Sequence, residues 1–410
     1  LINDQHQPTW RAVPGRRLTT AEAALRLGVK PATLYAYVSR GVLARHRGAG
    51  GSTFDAVEVE RLALGSRRAV ARTKAPLAFV TELTLIEDGT LRYRGLDALE
   101  LSRTRGFEAV AAWLWDGAWP ERPPVWSAGP KVGGTASAAC AGLEARCPPA
   151  DRWRVAVAAA ATADPLRHDH SPAAVTGAAA GLMAALVEVL PVVGRPARRS
   201  RSSLADRLWP RLSPLPATAA EIATLDAALV LMADHELAAS TLAARAAAAF
   251  GADPYAVVLT GMAAASGPLH AASSLEVRPV LARAELHGAA VALGEVLSRG
   301  AEVHGFGQSL YPDGDPRATE ILGRLRSLPN SVAAVDGVLA LASSRGMPPP
   351  NCDFALAALA HVSHMVPGAS EAIFVLGRTA GWVAHAMEEY AQRTSFRMRA
   401  TYVGPRVTPT

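Results

Sequence analysis

From Leu96 almost to its C-terminus the chain repeats one pattern: Ala-rich, apolar at helical spacing, and cut at intervals by proline-rich turns. Alternating β-branched runs, the mark of half-buried strands, are scarce, so the fold class expected is mostly α. At 410 residues the chain can bury a large core and hold two or three structural units. Its strongly apolar stretch, roughly 173–194, is interrupted by Glu188 and Pro191. A membrane span needs about 20 strongly apolar residues, so this stretch reads as a core helix and no membrane partner is expected. The net charge of +6 permits an anionic ligand or nucleic acid without requiring either. Cys140, Cys147 and Cys352 have no metal-ligand spacing and make no even disulfide set. The first ten residues also lack the basic-then-apolar order of a signal peptide. A reducing, cytoplasmic location and no metal are therefore expected.

Ahead of the helical region the signals change. Residues 1–16 are polar and read as a flexible N-terminus. Thr19-Thr20-Ala21-Glu22 has the form of a capped helix start, with the helix running to Leu27 and breaking at Gly28. A second helix is predicted from Pro31 to about Ser39, which together make a helix-turn-helix. The stretch 17–65 resembles the winged helix-turn-helix head of the mercury-resistance-regulator and excisionase families. That resemblance implies DNA as a partner, with Lys30, Thr33, Tyr35 and Tyr37 facing the major groove or phosphates and Arg45 and Arg47 on the wing. A head that contacts protein instead stays open. Residues 66–76 read as a basic linker, and two short runs around Asp88-Gly89 predict a β-hairpin.

Ser266-Gly267-Pro268-Leu269-His270 places a histidine just after Gly-Pro, where a helix is expected to begin. At a helix N-terminus the dipole disfavours an imidazolium, leaving a neutral ring able to donate to a developing oxyanion. A helix-start residue satisfied by a neighbour is the alternative. Polar motifs that would be costly to bury without a purpose recur around it. They are Asp234-His235-Glu236, Gly305-Phe306-Gly307-Gln308, Asp315-Pro316-Arg317, Asn351-Cys352-Asp353, Gly377-Arg378 and Arg397-Met398-Arg399. Two histidines, a carboxylate and several arginines form a kit for enolising an acyl group and holding a multiply anionic acceptor.

In order, spacing and local sequence these motifs resemble the citrate synthase family from about Leu77 to Gly404. The resemblance implies a large helical domain over 77–275 and 386–410 and a small one over 276–385, with the site between them. By the same resemblance Asp353 removes a proton from the methyl of acetyl-CoA and His270 stabilises the enolate. His235 would bind oxaloacetate, and Arg317 and Arg378 its carboxylates. The arginine matching Arg397 reaches in from the partner subunit, which implies a homodimer. Val303, Gly305, Phe306, Gly307 and Asn351 would lie along coenzyme A. No permanently bound cofactor is implied, only an acyl-CoA co-substrate (acetyl-CoA or propionyl-CoA) and oxaloacetate or a related 2-oxo acid.

The chain departs from the family where it matters. The second catalytic histidine of the family's Gly-Phe-Gly-His motif is Gln308 here. An amide can donate a hydrogen bond but cannot transfer a proton, and loss of a general acid typically costs about 10²–10⁴ in rate. The glycine pair after the catalytic histidine is Ala271-Ala272, and a nearby asparagine is Ser274. Three functions stay open: an acyl-condensing transferase attenuated at Gln308, a ligand-sensing DNA-binding regulator built on a citrate synthase body, and an inactive partner subunit of an active synthase.

Overall fold

A computed structural model describes residues 17–27, 29–39, 42–48, 51–59, 62, 79–195, 202–268 and 270–392. The expected linker 66–76 and Arg397 lie outside the described residues. The chain divides into two compact units, Leu1–Val80 and Thr81–Thr410.

The first unit carries β1 (Arg17–Thr19), α1 (Thr20–Leu27), α2 (Pro31–Ser39), β2 (His46–Gly48) and β3 (Gly51–Asp55). Its sheet is antiparallel in the order β1-β3-β2. Thr19 and Glu22 form the reciprocal cap that the sequence suggests. Thr19 N donates to Glu22 Oε2 at 2.7 Å, and Glu22 N donates to Thr19 Oγ1 at 3.3 Å. The pairing of Leu18 with Phe54 sets both on the inner face, where they meet Ala23, Leu27, Leu34 and Leu43.

A hairpin opens the second unit, with β4 (Thr84–Glu87), β5 (Thr90–Tyr93) and the short β6 (Leu96–Asp97) in sequential antiparallel order. Both connections are two-residue turns with positive φ throughout: 50° at Asp88, 70° at Gly89, 42° at Arg94 and 85° at Gly95. That geometry matches the twist of the flanking strands and explains the X-Gly sequence of each turn. Helices follow: α3 (Ala98–Thr104), α4 (Phe107–Asp116), α5 (Pro130–Cys140), α6 (Pro149–Ala163), α7 (Pro172–Glu188), α8 (Leu204–Leu212) and α9 (Ala219–Met232). Next come α10 (Ala239–Ala249), α11 (Pro254–Ala265), α12 (Ser273–His287) and α13 (Ala289–Ser298). The last are α14 (Pro316–Arg326), α15 (Ala333–Ser344), α16 (Cys352–Val362) and α17 (Ala369–Gln392). Many of the prolines that punctuate the sequence are first-turn residues of α5, α6, α7, α11 and α14. Proline there loses no intrahelical bond. The fold is mostly α, and the apolar stretch near 173–194 is α7, buried from Leu182 to Val187.

Helix α17 is the axis of this unit. It is buried continuously from Ala369 to Ala386, with α4, α9, α10, α11 and α16 packed on it. Two glycines let α9 come close. A Cβ on Gly377 would stand 2.8 Å from Leu229 O, and one on Gly381 would stand 2.5 Å from Asp234 Oδ1. Gly381 N donates to Ala233 O at 2.9 Å. Backbone contact of this kind fixes the end of α9, where the first site residues emerge. No described helix is long and apolar enough to cross a membrane.

Candidate active site

The end of α9 is held from two sides before His235 appears. Tyr93, at the end of β5, sets its hydroxyl 3.1 Å from the carbonyl oxygens of Val230, Leu231 and Asp234. Val230 and Leu231 lie in the last turn of α9 and Asp234 lies just beyond it. Asp234 is fully buried and accepts from Thr84 Oγ1 at 2.5 Å, while its Oδ2 lies 3.1 Å from His385 Nε2. His385 Nδ1 in turn lies 2.7 Å from Arg245 Nη1. Because a guanidinium only donates, Nδ1 must accept and His385 presents its proton to Asp234. Beyond this clamp, His235 is buried with Nε2 3.0 Å from Tyr311 Oη. Burial, reinforced by Arg317 and Arg378, holds its pKa well below the ordinary imidazole value. Glu236 follows at φ 51°, a left-handed conformation that turns the chain away from the buried pair.

Both arginines expected to bind carboxylates are buried. Arg317 grips Asp315 through two parallel bonds, Nε to Oδ1 at 2.9 Å and Nη2 to Oδ2 at 2.8 Å, and lies over the Tyr311 ring. Burial opposes its charge, but Asp315 outweighs that and holds the guanidinium charged. Arg378, on α17, donates from Nε to Met232 O at 2.8 Å and stacks on Phe374. Among the described residues its remaining donors make no other hydrogen bond.

Two loop segments are stitched together opposite. Gly307 N donates to Pro349 O at 2.8 Å, Asn351 N to Gly305 O at 2.9 Å, and Asn351 Nδ2 to Gly307 O at 2.9 Å. Gly305 (φ 90°) is in contact range of Val277 and Phe354, and no side chain would fit there. Asn351 Oδ1 accepts from Asp353 N and Phe354 N, so Asn351, not Asp353, is the N-cap of α16. Asp353 occupies the first turn and accepts from Ser273 Oγ. Burial pushes its carboxyl up to about 6, against the Ser273 bond and the Arg317 charge.

His270 does not start a helix. His270 N donates to Gly267 O at 3.0 Å in a turn, Ser273 N donates to His270 O at 2.9 Å, and α12 begins only at Ser273. The neutral imidazole that the sequence suggests is nevertheless present, for a different reason. Burial, with the Arg378 charge added, brings its pKa down to about 4. Its Nε2 lies 2.8 Å from Ser240 Oγ, and Trp382 Nε1 donates to the same oxygen at 3.3 Å.

His235, Glu236, His270, Gln308, Arg317, Asp353 and Arg378 line one cleft of about 460 Å³. Val303 to Gly307 and Asn351 form the stitched segments beside Gln308; Arg397 lies outside the described residues. Tyr311, Ser240 and Ser273 do not stand out in the sequence, because only tertiary contact gives them a role, whereas Asp315 belongs to the Asp315-Pro316-Arg317 motif and pairs with Arg317 two positions on. Among the described residues no three potential ligands gather to hold a metal.

In the first unit Lys30, Thr33, Tyr35 and Arg47 are exposed, and Arg45 lies over the Tyr35 ring at 5.8 Å. Tyr37, expected at the groove, packs instead against the small core.

A family model described as citrate synthase, C-terminal domain, matches residues 74–399, and a helix-turn-helix domain model matches 17–65. Citrate synthase 2 of Bacillus subtilis is 32% identical over 196 residues, 45% of this chain and 52% of that protein. The chain thus spans about half the length of that relative. A 2-methylcitrate synthase of Mycobacterium tuberculosis is 27% identical over 341 residues, 78% of this chain and 86% of that protein. The solved citrate synthase of Thermotoga maritima shares the fold with a TM-score of 0.65 at 21% identity, over 84% of this chain and 97% of that one.

Proposed function

This chain belongs to the citrate synthase family, and on that premise we propose that its cleft joins the acyl group of a coenzyme A thioester to the ketone of a 2-oxo acid. Acetyl-CoA or propionyl-CoA and oxaloacetate or a close relative are the substrates this reading names. The observation that carries it is the meeting of a carboxyl base, a neutral imidazole and two buried arginines in one cleft.

A thioester α-proton is weakly acidic, so the base needs help from a donor aimed at the thioester oxygen. Asp353, with its pKa near 6, is ionised at neutral pH yet more basic than an ordinary carboxylate. With Trp382 donating to Ser240 Oγ, the Ser240 hydrogen is free to point at His270 Nε2. The imidazole proton then sits on Nδ1, from which His270 donates to the enolate oxygen. The enol carbon attacks the ketone, whose carboxylates lie on Arg317 and Arg378. His235 and Gln308 would donate to the ketone oxygen as charge builds there, and water supplies the proton that Gln308 cannot. Hydrolysis of the citryl-type thioester then releases free coenzyme A and the tricarboxylate. Arg397 from a second copy would complete the acceptor pocket in a homodimer.

Thiol release from acetyl-CoA or propionyl-CoA with oxaloacetate tests this reading. Turnover that is lost in Asp353→Asn is expected; no turnover with any pairing, and no gain in Gln308→His, would refute it.

A second reading rests on the compact helix-turn-helix unit with Lys30, Thr33, Tyr35 and Arg47 exposed. There the synthase body senses a keto acid or coenzyme A ester while the head binds DNA. Salt-sensitive binding to the DNA upstream of its own gene is expected, and its absence at moderate salt with every ligand tried would exclude it.

A further inference from the structure

The base and the donor of the cleft are joined by one residue that does not line the cleft. Ser273 is the first residue of α12 and is buried. Its amide donates to His270 O at 2.9 Å, and its hydroxyl donates to Asp353 Oδ2. The backbone that carries His270 is thereby tied to the carboxylate across from it. A serine hydroxyl has one hydrogen to give, and here it is directed at a carboxylate, the stronger kind of acceptor.

We propose that Ser273 is a positioning residue for Asp353: it holds Oδ2 from the protein side, fixes the carboxylate plane, and leaves Oδ1 to take the substrate proton. The role rests on the condensation reading above, but the contact does not. Two features suit it to the task. Asp353 lies in the first turn of α16, where Asn351 already fixes the backbone through Asp353 N. Its side chain would otherwise be free to rotate about its last bond, since a carboxyl group has a broad terminal torsion. A base misdirected by a fraction of an ångström loses much of its advantage.

The hydroxyl also opposes burial. Ser273 stabilises the ionised form, as do Arg317 and, more weakly, His304, while Asp315 works against it. His235, His270, Glu236 and Arg378 share the same cleft. None of them replaces a hydrogen bond made directly to Oδ2.

Carbon-13 NMR of the full chain labelled at aspartate carboxyls tests the contact, with the Asp353 signal assigned by its loss in Asp353→Asn. In Ser273→Ala that signal should titrate about one pH unit higher, and Ser273→Thr, which keeps the hydroxyl, should restore it. In parallel, kcat should fall roughly tenfold in Ser273→Ala with KM for both substrates unchanged, and the acid limb of the kcat profile should move up with the NMR value. An Asp353 titration identical in the parent and Ser273→Ala overturns the proposal whether or not the protein turns over. Equal kcat in the two, despite a shifted titration, overturns the positioning role. A shifted titration in a chain that never turns over counts against condensation and leaves the Ser273–Asp353 contact standing.

Discussion

Gln308 borders the cleft with its Oε1 accepting only long bonds, from Ser309 Oγ at 3.3 Å and Leu310 N at 3.4 Å. Its amide hydrogens are the only polarity it can turn toward a ketone oxygen, and neither is transferable at neutral pH. Restoring a histidine by Gln308→His should raise kcat by about 10²-fold or more with little change in KM, measured as thiol release. A fall in kcat would mean that the neighbouring Ser309-Leu310-Tyr311 has been rebuilt around the amide. At this scale most of the cleft was legible before the structure. His235, His270, Arg317, Asp353 and Arg378 stand out because polar motifs recurring among apolar runs demand a reason, and the resemblance to the citrate synthase family orders them. Their partners were not legible. Ser240, Ser273 and Tyr311 are ordinary residues until folding brings them against His270, Asp353 and His235.

Among the elements, a carboxylate from elsewhere in the chain often does what a local cap would. Asp226, on α9, accepts from Phe107 N at the start of α4, and Glu108, on α4, accepts from Leu204 N at the start of α8. The two helix starts are thus wired through a buried acid, Glu108, and a half-buried one, Asp226, and the carboxylates repel each other. Burial first, then Glu108, pushes Asp226 up to about 7, while Arg324 draws it down. Burial also raises Glu108. Because the folded state holds the proton more tightly than the unfolded chain, this part of the stability is present below pH 4 and drains away as the pH rises toward 7. Carrying a carboxyl from its ordinary 3.8 to about 7 corresponds to at most about 4 kcal/mol at pH 8. Asp226→Asn keeps an acceptor for Phe107 N without the charge, so its melting temperature should exceed the parent's at pH 8 and converge on it near pH 4. A constant difference across that range would place the effect in packing. None of this was legible in the sequence, because the partners are 119 and 96 residues apart. Short-range signals fared better. The Asp88-Gly89 turn and the Thr19–Glu22 cap fall where the residues predict them, since each is decided within four positions. The start of α12 does not, because Gly267-Pro268 suits a run of turns as well as a helix.

On the scale of the whole molecule, a helix-turn-helix unit and a synthase body on one chain make a quantitative demand if the body is a sensor. Coupling between two sites is reciprocal: a ligand that changes DNA affinity by some factor must have its own affinity changed by that factor when DNA is bound. Couplings of this kind typically amount to about 5–150-fold. The expectation is therefore paired. Titrating an oxaloacetate- and coenzyme A-saturated protein with upstream DNA should give an affinity that differs from the free protein's, and calorimetry of ligand binding with DNA present should show the same ratio. The DNA arm has its own signature, since Lys30, Arg45 and Arg47 on phosphates would each add about 0.9 to the steepness of the log–log salt dependence. Lys30→Ala combined with Arg47→Ala should flatten that dependence by about 2 and leave ligand affinity in the absence of DNA unchanged. A salt-dependent DNA complex whose affinity is the same with and without ligand would make the head an anchor for a condensing enzyme and remove the sensor reading.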